Sequence, residues 1–437
     1  MYQKLTEEML AFIQKNPTAF HTAASITEAL EAQGFTELPE SAPWTLEPGR
    51  AYCVRRNSSS VIAFRLGTDL RDYSFQIAAA HTDSPLFRLK ERAELETAEY
   101  TRLNTEGYGG MICSTWLDRP LSAAGRVLLS QEDGSIKTAL VNLDRDLLLI
   151  PSVAIHMNRA VNDGFAFNKQ VDLLPLFAGK AHGTLKKLIA EELGVSEERI
   201  MGSDLYLYNR DRPAVWGCNS EFVSSPRLDD QQCVFSLLKG FLAGGHPQTV
   251  SVLACFDNEE VGSGTKQGAA STFLEDVLRR INLALGRSGE DYLRALASSF
   301  MVSADNAHAV HPNHPEHTDP NNCTCMNEGV VVKSHAGQKY TSDGLSIAML
   351  RTVAARAEVP LQYFSNRSDK RGGSTLGNIA MTHVSVKCVD VGLPQLAMHS
   401  CYETAGVRDT WYMVKLMEEF FRSKCTETSP GTVKIEK

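Results

Sequence analysis

The sequence lacks an excess of positive charge and any long hydrophobic run. It has 44 Lys and Arg against 52 Asp and Glu, for a formal net charge of −8, so no broad positive field is available to attract nucleic-acid phosphates. The longest apolar stretch, at residues 147–151, is far too short to cross a bilayer. The first residues are charged and lack the apolar core of a signal peptide. We therefore expect a cytoplasmic protein that binds neither nucleic acid nor membranes.

Three familiar catalytic motifs are also absent. The chain has no His-Glu-x-x-His pattern, which excludes the common single-zinc protease helix, and no Gly-x-Ser-x-Gly elbow of the serine hydrolases. It has no Gly-Lys-Ser/Thr loop to hold phosphate. The ten cysteines are scattered, so we expect reduced and mostly buried thiols. A metal or redox role for Cys323 and Cys325 is the alternative.

The hydrophobic pattern predicts an α/β protein. Hydrophobic residues make up 43% of the 437 residues and charged residues 22%, as in ordinary globular proteins of two to four domains. Helices and buried strands alternate outside a middle region that carries hairpin signals and one helix at 183–195. We predict a mixed sheet flanked by helices, formed by residues 1–90 and 222–437, with a β-rich insertion at residues 91–221.

Individual elements follow from the same periodicity. The first 35 residues read as two helices, and the polar tail after Cys425 is expected to be loose. In the two parts of the α/β domain, strands are predicted at 60–64, 74–80, 250–256, 299–303 and 384–389, and helices at 234–243, 273–285, 347–356 and 411–421.

Acidic residues and histidines stand where the predicted strands end. They are His81 and Asp83, then Asp257, Glu259 and Glu260, then Asp305, and after a loop His399, while Asp229 opens a helix. In α/β sheets, ligands bind beyond the carboxyl ends of the strands, so we expect these side chains to converge. A single acidic strand end is equally well a helix N-cap or a solvated turn. The repetition of the pattern favours a site.

Clustered carboxylates need a counter-charge. Buried together, they cannot stay ionised unless something neutralises them, and divalent metal is the simplest answer. Two imidazoles and three carboxylates suit a pair of ions about 3.5–4 Å apart. Of the neighbours Glu259 and Glu260, one can bind metal while the other acts as a base. Asp83 can hold the imidazole of His81 in its ligating tautomer.

The sequence resembles the aspartyl aminopeptidase family of metallopeptidases. The resemblance spans nearly the whole chain in the family's order, through blocks at 80–85, 154–159, 225–229, 257–263, 303–312 and 394–400. There are two departures: Asp230 stands where an Asn is common, and the loop at 369–373, with Lys370 and Arg371, is more basic than in the animal enzymes. Neither departure touches the proposed metal ligands.

The resemblance implies a role for each residue of the site. It implies a two-metal aminopeptidase fold with an inserted dimerisation domain, and two divalent ions expected to be zinc. Asp229 would bridge the ions and Glu259 would be the general base, with Asp83 supporting His81. The remaining ligands would be His81, Glu260, Asp305 and His399, and the substrate-binding residues Lys333, Tyr340 and, reaching a neighbouring subunit's active site, His156.

The implied activity is removal of the N-terminal residue, expected to be Asp or Glu, from short peptides with a free N-terminus. The implied assembly is a large closed homo-oligomer, typically a tetrahedral dodecamer. Alternatives are a broader or neutral-residue aminopeptidase, a related two-metal amide hydrolase, or a non-enzymatic assembly protein. For Lys333 the alternative is a solvated surface lysine.

One further pattern is a histidine at every third position in residues 308–317. Pro312 and Pro315 exclude a regular helix there. An independent metal site is one interpretation. A solvated or interface loop beside the active site is the other, and we favour it.

Overall fold

A mixed sheet forms the centre of the molecule. The structure is a computed structural model that describes residues 2–179 and 184–437. Within the described residues this sheet has nine strands. In spatial order they are Thr36–Glu37, Ala51–Arg56, Ser60–Leu66, Thr249–Phe256, Ser74–His81, Phe300–Ala304, Lys387–Gly392, Val330–Lys333 and Leu361–Phe364. The predicted α/β fold with a mixed sheet is confirmed.

Helices cover both faces of this sheet, which explains why its central strands are buried and mostly apolar. Leu237 and Met417 belong to the core on one face, and Phe75 and Phe273 to the core on the other. The helices of the described residues are Tyr2–Lys15, Ala19–Glu31, Leu185–Leu193, Leu228–Ala243, Phe273–Ala284, Gly289–Ala297, Gly344–Ala357, Leu376–Ala380 and Asp409–Phe421. Short 3₁₀ turns lie at Cys113–Trp116, Arg159–Asn162, Glu197–Arg199, Glu259–Val261 and Pro315–His317.

A second sheet forms the β-rich region. Its strands, in spatial order, are Ile136–Asn142, Leu121–Ser130, Ile200–Asn209, Leu86–Glu96, Thr101–Tyr108 and Leu176–Ala178. The predicted hairpin is present, with Val127 opposite Ala139. The helix predicted at 183–195 is observed at Leu185–Leu193, and residue 183 lies outside the described residues. The domain limits stay a prediction, and the strand Leu86–Glu96 continues across the first of them.

A third sheet joins the segments that flank the site. Its strands are Ala214–Trp216, Phe222–Ser225, Glu403–Gly406, Pro394–Leu396 and Ala307–His308. Ser225 pairs with Glu403 in an antiparallel register. This pairing brings the chain before Asp229 next to the chain after His399, although the two are far apart in sequence.

Two predictions of local structure were wrong. The polar tail is ordered as a hairpin of Lys424–Ser429 and Thr432–Glu436, because Cys425 is buried in the main core and Ile435 packs against it. The strand predicted at 384–389 is observed at Lys387–Gly392. Val384 is buried, but it lies in the loop before the first ladder pair, so its hydrophobicity marks packing and not the strand. In the part of the chain that the structure describes, no helix has the length and apolarity to cross a membrane.

Candidate metal centre

Three predicted ligands meet beyond the end of the strand Ser74–His81. His81 Nε2 lies 3.4 Å from Asp229 Oδ1 and 3.9 Å from Asp305 Oδ1. His81 and Asp229 are fully buried, and the Asp305 side chain is 14% exposed. Two atoms that both bind one zinc ion at about 2.0–2.2 Å are separated from each other by similar distances. The three side chains can therefore share one cation.

A second set of predicted metal ligands shares Asp229 with the first set. His399 Nε2 lies 3.5 Å from Asp229 Oδ2 and 3.3 Å from Glu260 Oε2. Asp229 thus directs one carboxylate oxygen to His81 and the other to His399. This is the position that a bridging carboxylate needs, so the arrangement accommodates two ions on either side of one residue.

The electrostatics of this cluster require a cation. Among the described residues, no group donates a hydrogen bond to Asp229 Oδ1, Asp230 Oδ1 or Glu260 Oε1, although all three oxygens are buried. Burial, together with the charge of Asp229, holds the pKa of the Glu260 carboxyl well above its ordinary value. Buried oxygens without partners are costly, and imidazole and carboxylate donors are those that zinc prefers. The residues present fit a pair of divalent ions.

Asp230 adds a carboxylate where the family commonly has an Asn. Its Oδ2 accepts the backbone N–H of His81 at 3.2 Å, and the residue is fully buried. It lies close enough to His81, Asp229 and Asp305 to belong to the same potential metal group. The expectation that this departure would not touch the proposed metal ligands is therefore wrong, because Asp230 contacts His81 directly.

The backbone before Glu259 makes a sharp turn. Asn258 has φ 65°, in the left-handed region that Asn tolerates better than most residues. Its Oδ1 accepts hydrogen bonds from Thr265 Oγ1 at 2.8 Å and Gln267 Nε2 at 2.7 Å, which hold the turn. The 3₁₀ turn Glu259–Val261 follows, and Glu259, Glu260 and His81 each offer one ligand atom within 4.8 Å of the others. Burial raises the pKa of the Glu259 carboxyl to about 7, against the opposing effect of His81.

Asp83 connects the segments that carry the ligands. The ring Nδ1 of His81 lies 3.1 Å from the Asp83 backbone oxygen and 3.4 Å from its Oδ1. The Asp83 carboxylate also accepts the backbone N–H groups of Glu259 and Glu260, each at 3.2 Å. This side chain therefore spans the ends of two neighbouring strands.

Tyr108 is a contributor that sequence reasoning missed. Its hydroxyl donates to Asp83 Oδ2 at 2.6 Å and accepts from Asn258 Nδ2 at 2.8 Å. Tyr108 ends a strand of the second sheet, so the β-rich region supplies part of the support of the metal centre. Nothing in the surrounding Gly-Tyr-Gly-Gly sequence distinguishes it from an ordinary turn.

Glu403 is the second missed residue. Its carboxylate accepts the backbone N–H of Asp229 at 3.0 Å and that of His399 at 2.7 Å. The side chain is fully buried. One carboxylate thus holds the main chain of two predicted ligands, and its only sequence signal is its place four residues after His399.

Lys333 and Tyr340 lie beside the metal centre. Lys333 is buried, so the alternative of a solvated surface lysine is wrong. Its Nζ lies 3.3 Å from Asp305 Oδ2, 3.3 Å from the Asn306 backbone oxygen and 5.3 Å from the centre of the Tyr340 ring. Burial alone would lower the pKa of Lys333, but the charge of Asp305 raises it above its ordinary value.

Two other predicted features are exposed. His156 belongs to none of the potential metal groups found in the described residues, and it lies in an exposed segment of the β-rich region. Lys370 and Arg371 are exposed as well. A single chain does not bring these three residues into the cluster.

Buried histidines and carboxylates at the strand ends of a mixed α/β sheet define the chain as a metalloenzyme. More specifically, it belongs to the M18 family of aminopeptidases. The family model described as "Aminopeptidase I zinc metalloprotease (M18)" matches residues 12–421. The chain is thus a zinc metalloaminopeptidase. Its resemblance to the aspartyl aminopeptidases is confirmed at the level of this family, which includes them.

Individual relatives agree with this assignment. The "Probable M18 family aminopeptidase 2" of Clostridium novyi (strain NT) is 45% identical over 426 residues, covering 96% of this chain and 98% of that protein. The fold is similar to that in the cryo-EM structure of the Ape4 and Nbr1 complex, with a TM-score of 0.93 and 36% identity over 96% of this chain and 86% of that one. It is also similar to the S. cerevisiae mApe1 dodecamer, with a TM-score of 0.85 and 27% identity over 96% and 97% of the two chains.

Proposed function

We propose that this aminopeptidase removes Asp or Glu from the N-terminus of short peptides. The observation that carries the preference is the buried ammonium of Lys333 at the edge of the metal centre. An ammonium has three N–H donors, and Asp305 and Asn306 lie within reach of two of them. The third would bind the side-chain carboxylate of the substrate.

The metal ligands in this proposal are His81, Asp229 and Asp305 on one side and Asp229, Glu260 and His399 on the other. When bound, the ions supply polarisation of the scissile carbonyl and lower the pKa of a water. Asp83 and Glu403 hold the ligand segments in place through the hydrogen bonds described above.

Glu259 is the proposed general base. It also lies close enough to His81 and Glu260 to bind metal, but the two proposed ligand sets are complete without it, which leaves its carboxylate for proton transfer. It takes a proton from the attacking water, whose oxygen bonds to the carbonyl carbon, and delivers that proton to the leaving amine as the C–N bond breaks. Binding of the substrate's free α-amine at the metal centre would restrict cleavage to the chain end.

A neutral-residue aminopeptidase is the second candidate. The observation in its favour is that Asp305 already neutralises Lys333 at 3.3 Å, so the lysine would serve only to hold a ligand. Cleavage rates across a set of dipeptides with acidic and neutral first residues, with and without chelator, separate the two candidates. Higher kcat/KM for Asp and Glu supports the first, and equal or lower values support the second.

We also propose that the chain assembles into a closed homo-oligomer, a dodecamer like that of the yeast relative. The exposed segment around His156 carries unusually exposed apolar side chains, since Met157 is 84%, Val153 54% and Val171 64% exposed. Such patches mark association surfaces.

In the assembly, His156 would reach the metal centre of a neighbouring subunit. Sedimentation should give a dodecamer, and His156→Ala should keep that assembly but lose activity; an active His156→Ala variant would remove this role.

A cytoplasmic location is part of the same proposal. All ten cysteines are free thiols, six of them buried, as expected in a reducing compartment. Thiol titration of the denatured protein, isolated without reductant, should find ten reactive groups. A disulfide would argue against this location.

A further inference from the structure

Apart from the metal centre, the described residues hold one other group of potential metal ligands, formed by His314, Glu316 and His317. All three side chains are exposed, by 58%, 59% and 61% respectively. The group lies in the segment in which histidine recurs at every third position. The proposed aminopeptidase mechanism uses none of the three residues.

The backbone explains why the histidines align. His314 N–H donates to the His311 carbonyl at 3.1 Å, and His317 N–H donates to the His314 carbonyl at 3.2 Å. These are bonds between residues three apart, and in 3₁₀ geometry side chains three apart eclipse one another. The rings accordingly form a column, with centres 5.3 Å apart for His311 and His314 and 5.4 Å apart for His314 and His317.

We propose that His314, Glu316 and His317 form an accessory site for a divalent transition-metal ion, because their grouping in the structure favours the metal-site interpretation over the solvated or interface loop preferred from the sequence. Glu316 Oε1 lies 3.0 Å from His314 Nδ1 and 3.9 Å from His317 Nε2. In a tetrahedral zinc site with ligands at about 2.0–2.1 Å, neighbouring ligand atoms are about 3.3 Å apart. The observed distances lie on both sides of that value, so small rotations of exposed side chains complete the site, and water fills the fourth position.

The charges around the group permit a bound cation. Arg367 Nη1 donates to the Glu316 backbone oxygen at 2.5 Å, but the guanidinium is paired with Asp369 at 2.9 Å, which offsets its charge. A hydrogen bond from its own backbone N–H, together with His314, holds the pKa of the Glu316 carboxyl below its ordinary value. Glu316 is therefore an anion at neutral pH and available as a ligand.

The donor set indicates which ions bind. Two imidazole nitrogens and one carboxylate suit zinc, cobalt, nickel or copper better than calcium or magnesium, which require mostly oxygen ligands. His314 and His317 also line a cavity of about 240 Å³, whose other lining residues include Gln395, Leu396 and Ala397.

The test measures zinc stoichiometry rather than activity. The assembled protein, with its catalytic ions bound, is dialysed against buffered micromolar free Zn²⁺, and zinc per chain is determined by mass spectrometry. We expect one ion more per chain in the wild type than in the double variant His314→Ala/His317→Ala. The matched control is His383→Ala, because His383 is also exposed and its Nδ1 lies 4.0 Å from a single carboxylate, Glu275; it should keep the wild-type count.

A second measurement identifies the ligands. Co²⁺ added to wild-type protein that holds only its catalytic zinc ions should give visible d–d absorption that the double variant lacks. Glu316→Gln should need a higher zinc concentration for half-saturation. Equal zinc counts in the wild type and the double variant would overturn the proposal, as would unchanged zinc affinity in Glu316→Gln. Since His399 is intact in all these variants, failure here leaves the proposed peptidase function unaffected.

Discussion

The hydroxyl of Tyr108 donates a hydrogen bond of 2.6 Å to Asp83 Oδ2. This bond connects a strand of the β-rich sheet with the carboxylate that also accepts the backbone N–H groups of Glu259 and Glu260. The metal centre is therefore supported by two sheets, although the predicted ligands come from the α/β part of the chain.

Tyr108→Phe tests this support. The variant removes the hydrogen bond but keeps the ring, so we expect bound metal to remain and kcat to fall by about tenfold, as when a partner of a metal-site residue is lost. Tyr206→Phe is the matched control, because its ring makes an edge-to-face contact with Tyr108, with centres 5.5 Å apart. Unchanged kcat in Tyr108→Phe, measured on a dipeptide at saturation, would show that Asp83 does not need this bond.

Glu259→Gln tests the general base. The amide has the same shape but cannot take a proton from water, so we expect kcat to fall by about 100- to 10,000-fold. Metal content should stay at the wild-type value, since Glu259 is not among the proposed ligands. The exposed Glu192, changed to Gln, provides the control. Near-normal turnover by Glu259→Gln would remove Glu259 from this role.

His399→Ala tests the metal ligands. The change leaves Asp229 Oδ2 and Glu260 Oε2 without the imidazole that lies 3.5 Å and 3.3 Å from them. We expect loss of one ion per chain together with activity, as measured by elemental analysis and dipeptide cleavage. Treatment of the wild type with chelator should also abolish activity, and readded zinc should restore it. A fully metallated and active His399→Ala variant would contradict the assignment.

Lys333→Met tests the acidic preference. The variant keeps the length of the side chain but removes the ammonium, so kcat/KM for Asp and Glu dipeptides should fall about 10- to 100-fold further than for neutral ones, as expected for a lost charged hydrogen bond. The exposed Lys339, changed to Met, should have no such effect. An equal loss of kcat/KM on acidic and neutral dipeptides would show that Lys333 only positions Asp305.

His21 should make stability depend on pH. Burial, with Arg227 nearby, lowers its pKa from 6.5 to about 4, so between these values the unfolded chain binds the proton more strongly than the folded one. Its contribution to stability is present above pH 6.5 and is lost as the pH falls towards 4. From pH 7 to pH 5 the loss is about 2 kcal/mol.

Urea unfolding at these two pH values measures the effect. His21→Gln should lose less stability than the wild type over the interval, while the exposed control His383→Gln should behave as the wild type. If all three proteins lose equal stability on acidification, another group is responsible.

The sequence predicted the α/β class and the ends of its strands well. A strand buried on both faces is mostly apolar, as Ser74–His81 is apart from Ser74, Gln76 and the final His81, and the ionisable residues at its end stand out clearly. The roles of His81, Asp229, Glu260, Asp305 and His399 stay predictions, but the structure brings all five together. Local patterns did not predict the final hairpin, because Cys425 and Ile435 are too few to show a periodicity.

The residues that support the site could not be predicted from local sequence. Glu403 contacts Asp229 across 174 positions of the chain, and Tyr108 contacts Asn258 across 150. Neither residue type nor spacing indicates such a partner.

The order of residues alone determined which strands are buried, where they end and which side chains with metal affinity follow them, since each of these depends on neighbours within a few positions. Only the packing of the three sheets decided that Asp229 faces both His81 and His399, that Lys333 is buried against Asp305, and that Glu403 and Tyr108 support the centre. These contacts depend on sheet pairing between distant segments, and hydrophobic periodicity carries no information about distant partners.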